Sequence, residues 1–115
     1  MHNLNFPRQY SFEYRTVEDK IAIFDSIRCK FVQLTPEEWV RQNLVRYMTT
    51  DLGFPSGLIA IEKTLNYHGG QVRADVVAHD RQARPVLMAE CKAPEVNISR
   101  HTFDQVSLYN RVLVV

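Results

Sequence analysis

Hydrophobic positions along this chain follow two rhythms. Val40, Leu44, Tyr47 and Met48 recur at helical spacing. They follow Thr35-Pro36-Glu37-Glu38, where Thr35 suits an N-cap, Pro36 the first helical position and Glu38 the third place of a capping box. Gly53 and Pro55 stop the pattern, so a helix is predicted over residues 36–52, with Trp39 covering its flank. Three apolar runs then predict strands at residues 58–67, 72–79 and 85–92. His68-Gly69-Gly70 makes a tight turn between the first two, and residues 80–84 a polar turn before the third. Ahead of the helix, short aromatic and β-branched runs at 11–15, 20–24 and 30–34 predict a small antiparallel hairpin or meander. Behind the strands, residues 97–102 offer several N-caps for a second helix to about residue 112, with Phe103, Val106, Asn110 and Leu113 on one side. Gln105 and Tyr109 share a neighbouring side at i and i+4.

The order helix, three strands, helix predicts an α/β (α+β) domain with helices packed on a mixed sheet. A single domain over residues 1–115 is expected, with 1–34 a β extension and 35–115 the core. The chain stops where another core strand is expected, which reads as a fragment of a longer protein or a truncated one.

Composition changes this picture little. At 115 residues, 45% hydrophobic and 23% charged, the chain is ordinary globular material. A net charge of +1 removes any global electrostatic case for nucleic-acid binding, so a DNA contact needs a local patch. Arg41, Arg46, Arg100 and Arg111 are candidates for one, against the commoner reading of solvated helix charges. Cys29 and Cys91, with no export signal before them, read as reduced thiols in a cytoplasm. No run approaches the roughly 20 apolar residues of a membrane helix.

The candidate chemistry lies in the last two strands. Glu90 and Lys92 alternate onto one face of a strand, and Asp75 stands in the strand before it. Two carboxylates on neighbouring strands can hold a hard cation such as Mg²⁺, with Mn²⁺ as a substitute. A lysine beside them can position or deprotonate water, or offset charge on a phosphate. Structural ion pairs with Lys92 or Arg73 are the plainer alternative for each carboxylate alone. Glu62 reads as a surface ion-pair partner, Cys91 as a small buried residue, and His68, His79 and His101 as turn or surface histidines rather than zinc ligands.

Asp75, then Glu90-Cys91-Lys92, on a hairpin flanked by helices resembles the PD-(D/E)xK nuclease superfamily, in which Arg73-Ala74-Asp75 stands for the variable Pro-Asp. Gln105-Val106-Ser107-Leu108-Tyr109 looks like its Q-x-x-x-Y element. The wording of residues 34–42, 90–96 and 102–105 resembles small bacterial proteins related to the N-terminal nuclease domain of the type I restriction enzyme R subunit. The resemblance implies a restriction-endonuclease-like core and a Mg²⁺-dependent DNA endonuclease. Asp75 and Glu90 would be metal ligands, Lys92 the catalytic lysine, and Gln105 and Tyr109 residues lining the site. Glu38, or Glu37 in its place, would be the acid from the first helix, a role standing beside its capping-box reading. A homodimer or restriction-modification subunits would be the partners. A catalytically silent module of the same fold is the alternative.

Overall fold

A computed structural model of the chain describes residues 4, 6–67 and 69–91. Lys92, Gln105, Tyr109 and the expected second helix lie outside the described residues. Two three-stranded antiparallel sheets and one helix make up the described part, a small α+β arrangement. The fold separates into two compact units, one through Gly53 that also takes in Cys91, the other from Phe54 to Glu90.

In the first unit, β1 (Tyr14–Val17), β2 (Lys20–Asp25) and β3 (Lys30–Gln33) form a meander in the order β1-β2-β3. Its first reversal spends only Glu18 and Asp19 between the paired Val17 and Lys20. Both adopt positive φ, 51° and 64°, the backbone a two-residue hairpin needs to follow the strands' twist. Neither is a glycine or asparagine, so some strain is retained there.

The helix α1 spans Pro36–Thr50. Thr35 Oγ1 accepts from the Glu38 backbone N–H at 3.1 Å, as the N-cap reading requires. Past its end, Gly53 takes φ 76°, a conformation that costs glycine nothing. The buried side of α1 departs from the apolar stripe expected for it. Glu38, Gln42, Asn43, Val45 and Met48 are its buried residues, whereas Val40, Leu44 and Tyr47 are only half-buried. Polar groups occupy the N-terminal half of the inward face because β2 ends there on a buried acid, Asp25, that needs donors.

In the second unit a 3₁₀ turn, Ser56–Leu58, leads into β4 (Ile59–Tyr67), β5 (Gly70–His79) and β6 (Pro85–Ala89). The order is β4-β5-β6, so β5 is central. Consecutive strands joined by short reversals pair antiparallel. Gly69, at φ 77°, makes the first reversal. Asp80 builds the second, its Oδ1 accepting from the backbone N–H groups of Gln82 at 2.9 Å and Arg84 at 3.0 Å. These backbone bonds, against a smaller opposing effect of burial and with the Arg84 guanidinium adding to them, hold the Asp80 carboxyl below its ordinary range. Ala74, Val76, Val77 and Ala78 are fully buried, so the central strand supplies most of this unit's core. No helix among the described residues is long and apolar enough to cross a membrane.

Candidate functional site

Side chains alternate along β5. Ala74, Val76 and Ala78 point to one face and are sealed from solvent. Arg73, Asp75, Val77 and His79 share the other, and burial deepens along them from exposed through half-buried to buried. Asp75 thus sits where core gives way to solvent, a place at which a carboxylate can stay hydrated on one side.

The partner strands bring further acids to that level. β5 and β6 pair Val77 with Met88 and Val76 with Ala89. Continued by one residue, this register sets Glu90 directly across from Asp75. Opposed residues on neighbouring strands have Cβ atoms about 5 Å apart, close enough for two carboxylates to share one ion. Glu90 follows the last residue of β6 and is half-buried, with its Oε2 atom sealed from solvent. A hard oxygen pair of this kind fits Mg²⁺, which takes one or two carboxylates and fills its remaining positions with water and phosphate oxygens. Among the described residues, no three His, Cys, Asp or Glu side chains converge as a metal-binding group.

On the opposite flank, β4 pairs Ile61 with Val76 and Lys63 with Ala74, leaving Glu62 at the level of Asp75. The ladder skips this position, and Glu62 takes φ 54°. Its carboxylate accepts from Arg73 at 3.0 Å, the surface pairing the sequence predicts. Both partners are well exposed, so the pair contributes little stability.

His79 corrects the surface or turn assignment made from sequence. It is 8% exposed and fully tied. Its Nδ1 donates to the Leu58 carbonyl at 2.9 Å, which leaves Nε2 to accept from the Lys63 ammonium at 2.6 Å. A carbonyl can only accept, so the neutral ring's tautomer follows from the partners. Burial in an apolar run was the available signal, but a lone histidine beside a turn gives no warning of it.

Glu38 lies in the other unit, inside a network that sequence reasoning did not find. Its Oε1 accepts from Arg28 at 3.0 Å and Arg41 at 2.8 Å, and its Oε2 from Arg41 and Gln42, each at 3.0 Å. The network replaces the return half of the capping box. Asp25, 1% exposed, anchors the other end. Its Oδ1 accepts from the backbone N–H groups of Ile27 and Arg28, both at 2.8 Å, and its Oδ2 from the Arg28 guanidinium at 2.6 Å and Gln42 at 3.0 Å. Burial is the largest influence on both carboxyls and opposes their ionisation. The Arg28 backbone and guanidinium at Asp25, and Arg41 and Gln42 at Glu38, outweigh it and hold both below the ordinary range. A metal ion at Glu38 would have to displace guanidinium groups already bonded to both oxygens. Glu37, the alternative acid, is exposed in the first turn of α1. Cys91 is buried, as expected of a small core residue.

Among known proteins, neither a search of curated sequences nor one of solved structures returned a match. The family model described as type I restriction enzyme R protein N terminus matches residues 36–115, from the first residue of α1 through Asp75 and Glu90, and the chain therefore belongs to that family.

Proposed function

We propose that this chain carries a PD-(D/E)xK-type, divalent-metal-dependent DNA endonuclease centre, used in a restriction-modification setting. The observation that supports this reading is the β5–β6 register, Val76 with Ala89, which continued by one residue would set Glu90 across from Asp75. Asp75 and Glu90 would hold Mg²⁺ or Mn²⁺. That ion would supply positive charge to offset the charge that builds on the phosphate during cleavage. Lys92 positions the attacking water or takes its proton, two residues beyond Glu90. The family resemblance gives Gln105 and Tyr109, both outside the described residues, the role of orienting the lysine or contacting the DNA backbone. Glu38 is the least supported ligand, because arginines already occupy its carboxylate. DNA is the substrate, and a second copy or restriction-modification subunits supply the second cut.

The test is cleavage of supercoiled plasmid by the full chain in 5 to 10 mM Mg²⁺ or Mn²⁺ (roughly the millimolar range in which weak carboxylate sites fill), alongside calorimetric metal binding. Asp75→Asn and Glu90→Gln should each abolish metal binding and lower cleavage at least about 100-fold, a loss of about 2.7 kcal/mol in the barrier. Wild-type chain that cuts no DNA form and binds neither ion sinks the proposal. A silent nuclease-fold module is the second reading, favoured by the arginines that already occupy the Glu38 carboxylate. It predicts DNA binding that survives Lys92→Ala with no cleavage in either protein.

A further inference from the structure

The sheet of the first unit has an open edge. Among the described residues β1 pairs with β2 alone, and all four of its residues are exposed. Two observations fix the direction of its backbone groups. The Phe24 N–H donates to the Glu13 carbonyl at 2.9 Å, and Val17 and Lys20 close the two-residue hairpin. Backbone groups alternate sides along a strand. Glu13, Arg15 and Val17 therefore turn theirs to β2, and Tyr14 and Thr16 turn theirs outward. No backbone bond among the described residues engages that outer side. Neither a proline nor a bulge blunts the edge. Large apolar surface lies beside it: Tyr14, Val17 and Ile21 are each about half exposed, 51%, 48% and 54%. Tyr14 and Ile21 also border a cleft of about 550 Å³ between the N-terminal segment, β1 and α1.

A row of unpaired N–H and C=O groups is complementary to another extended strand. We propose that the occupant is β1 of a second copy of this chain, paired antiparallel about a two-fold axis at Tyr14. Self-complementarity of the sequence singles out this partner and this register. Outward-facing residues must meet outward-facing residues, so Tyr14 can oppose the partner's Tyr14 or the partner's Thr16, or Thr16 the partner's Thr16. With Tyr14 on the axis, Glu13 faces the partner's Arg15 and Arg15 the partner's Glu13, two ion pairs on one face. The two tyrosines meet on the other face. Pairing Tyr14 with the partner's Thr16 instead sets the two Arg15 side chains against each other. Pairing Thr16 with the partner's Thr16 draws the Glu18-Asp19 turn, at positive φ, into the ladder. Opposed side chains lie about 5 Å apart at Cβ, where opposite charges attract and like charges are destabilising. Arg15 stacks on the Phe31 ring at 4.1 Å. Stacking of an exposed arginine is weak, so the long side chain can turn from the ring to the partner's carboxylate. So short a ladder falls below the standard interface size, which makes the dimer weak and concentration-dependent. The pairing uses neither metal nor the Asp75–Glu90 pair, so it goes beyond the endonuclease reading without resting on it.

Sedimentation equilibrium of the full chain in EDTA, from about 10 μM to about 1 mM, spans the affinities of small interfaces. A reversible monomer–dimer equilibrium is expected in that range. Glu13→Arg and Arg15→Glu each put like charges opposite one another twice, and each should raise Kd about 10-fold or more. The double exchange Glu13→Arg/Arg15→Glu restores opposite charges and should return Kd to near the wild-type value. Thr16→Pro removes an outward N–H while sparing the bonds to β2, a position where an edge strand tolerates proline, and should leave a monomer. Glu13 and Arg15 are exposed, so the charge variants should fold, checked by circular dichroism. Asp75→Asn should dimerise like wild type, which separates failure here from failure of the endonuclease reading. A chain that stays monomeric to about 1 mM overturns the proposal and leaves the edge to a strand of another protein. So does a dimer that the single charge changes leave intact, or that the double exchange does not restore.

Discussion

Replacing Asp25 with asparagine tests whether the buried network holds the first unit together. The substitution keeps size and one acceptor oxygen, so the bonds from Ile27 and Arg28 backbone N–H can survive. The new amide instead faces the Arg28 guanidinium, which only donates. The 2.6 Å charge-assisted bond is lost and Arg28 keeps its charge beside a neutral side chain. Removing one partner of a fully buried pair costs about 3 to 5 kcal/mol. The Arg28 side chain is 22% exposed and keeps Glu38 as a partner, so water and Glu38 recover part of that. A loss of about 2 to 3 kcal/mol is therefore expected, near the figure for one hydrogen bond to a charged group. With a urea slope of about 1.5 kcal/mol per molar, the midpoint should fall by about 1.3 to 2 M. Trp39 fluorescence reports this unit rather than the other. The double variant Asp25→Asn/Arg28→Met should cost less than the sum of the two single changes, because it leaves no charge facing a neutral group. A midpoint within about 0.3 M of wild type, close to the error of such fits, or strict additivity, would refute this account.

Three further outcomes follow from the same structure. Asp25 and Glu38 have folded-state pKa values below their unfolded ones, so the stability they contribute is complete above about pH 5 and is lost as pH falls through the depressed values. Urea midpoints should fall as pH drops below about 5, and more shallowly in Glu38→Gln; an unchanged acid slope contradicts the pairing. Glu18→Asn with Asp19→Gly, at two positive-φ positions, should raise stability by about 1 kcal/mol, read as a Tm gain of several degrees; no gain would mean the turn holds no strain. Asp75→Asn removes one of the two proposed ion ligands. Millimolar Mg²⁺ should raise the Tm of wild type and not of the variant; the reverse pattern removes the ion from this pair.

Local rules were enough for much of the architecture. Thr35-Pro36, the reversals at Gly69 and Asp80, and the apolar runs of β4 to β6 act over a few residues, and each element formed close to its expected bounds. Alternation along β5 was legible too, but its register with β6 was not, because the ladder shifts between Ala78 and His79. The inward face of α1 was not legible either. Periodicity assumes that buried means apolar, but Asp25 turns that face polar, and its partners Arg28 and Gln42 lie 3 and 17 residues away. His79 was misread for a similar reason: its two partners, Leu58 and Lys63, lie 21 and 16 residues back along the chain. The cleft between the N-terminal segment, β1 and α1 left no trace in any single run. A sequence by itself determines what its neighbours along the chain can decide, namely turns, caps, alternation and the chemistry on offer. Which charges are neutralised, which faces are sealed and which aromatic groups meet was decided only when distant segments came together, because burial and hydrogen bonding depend on distance in space.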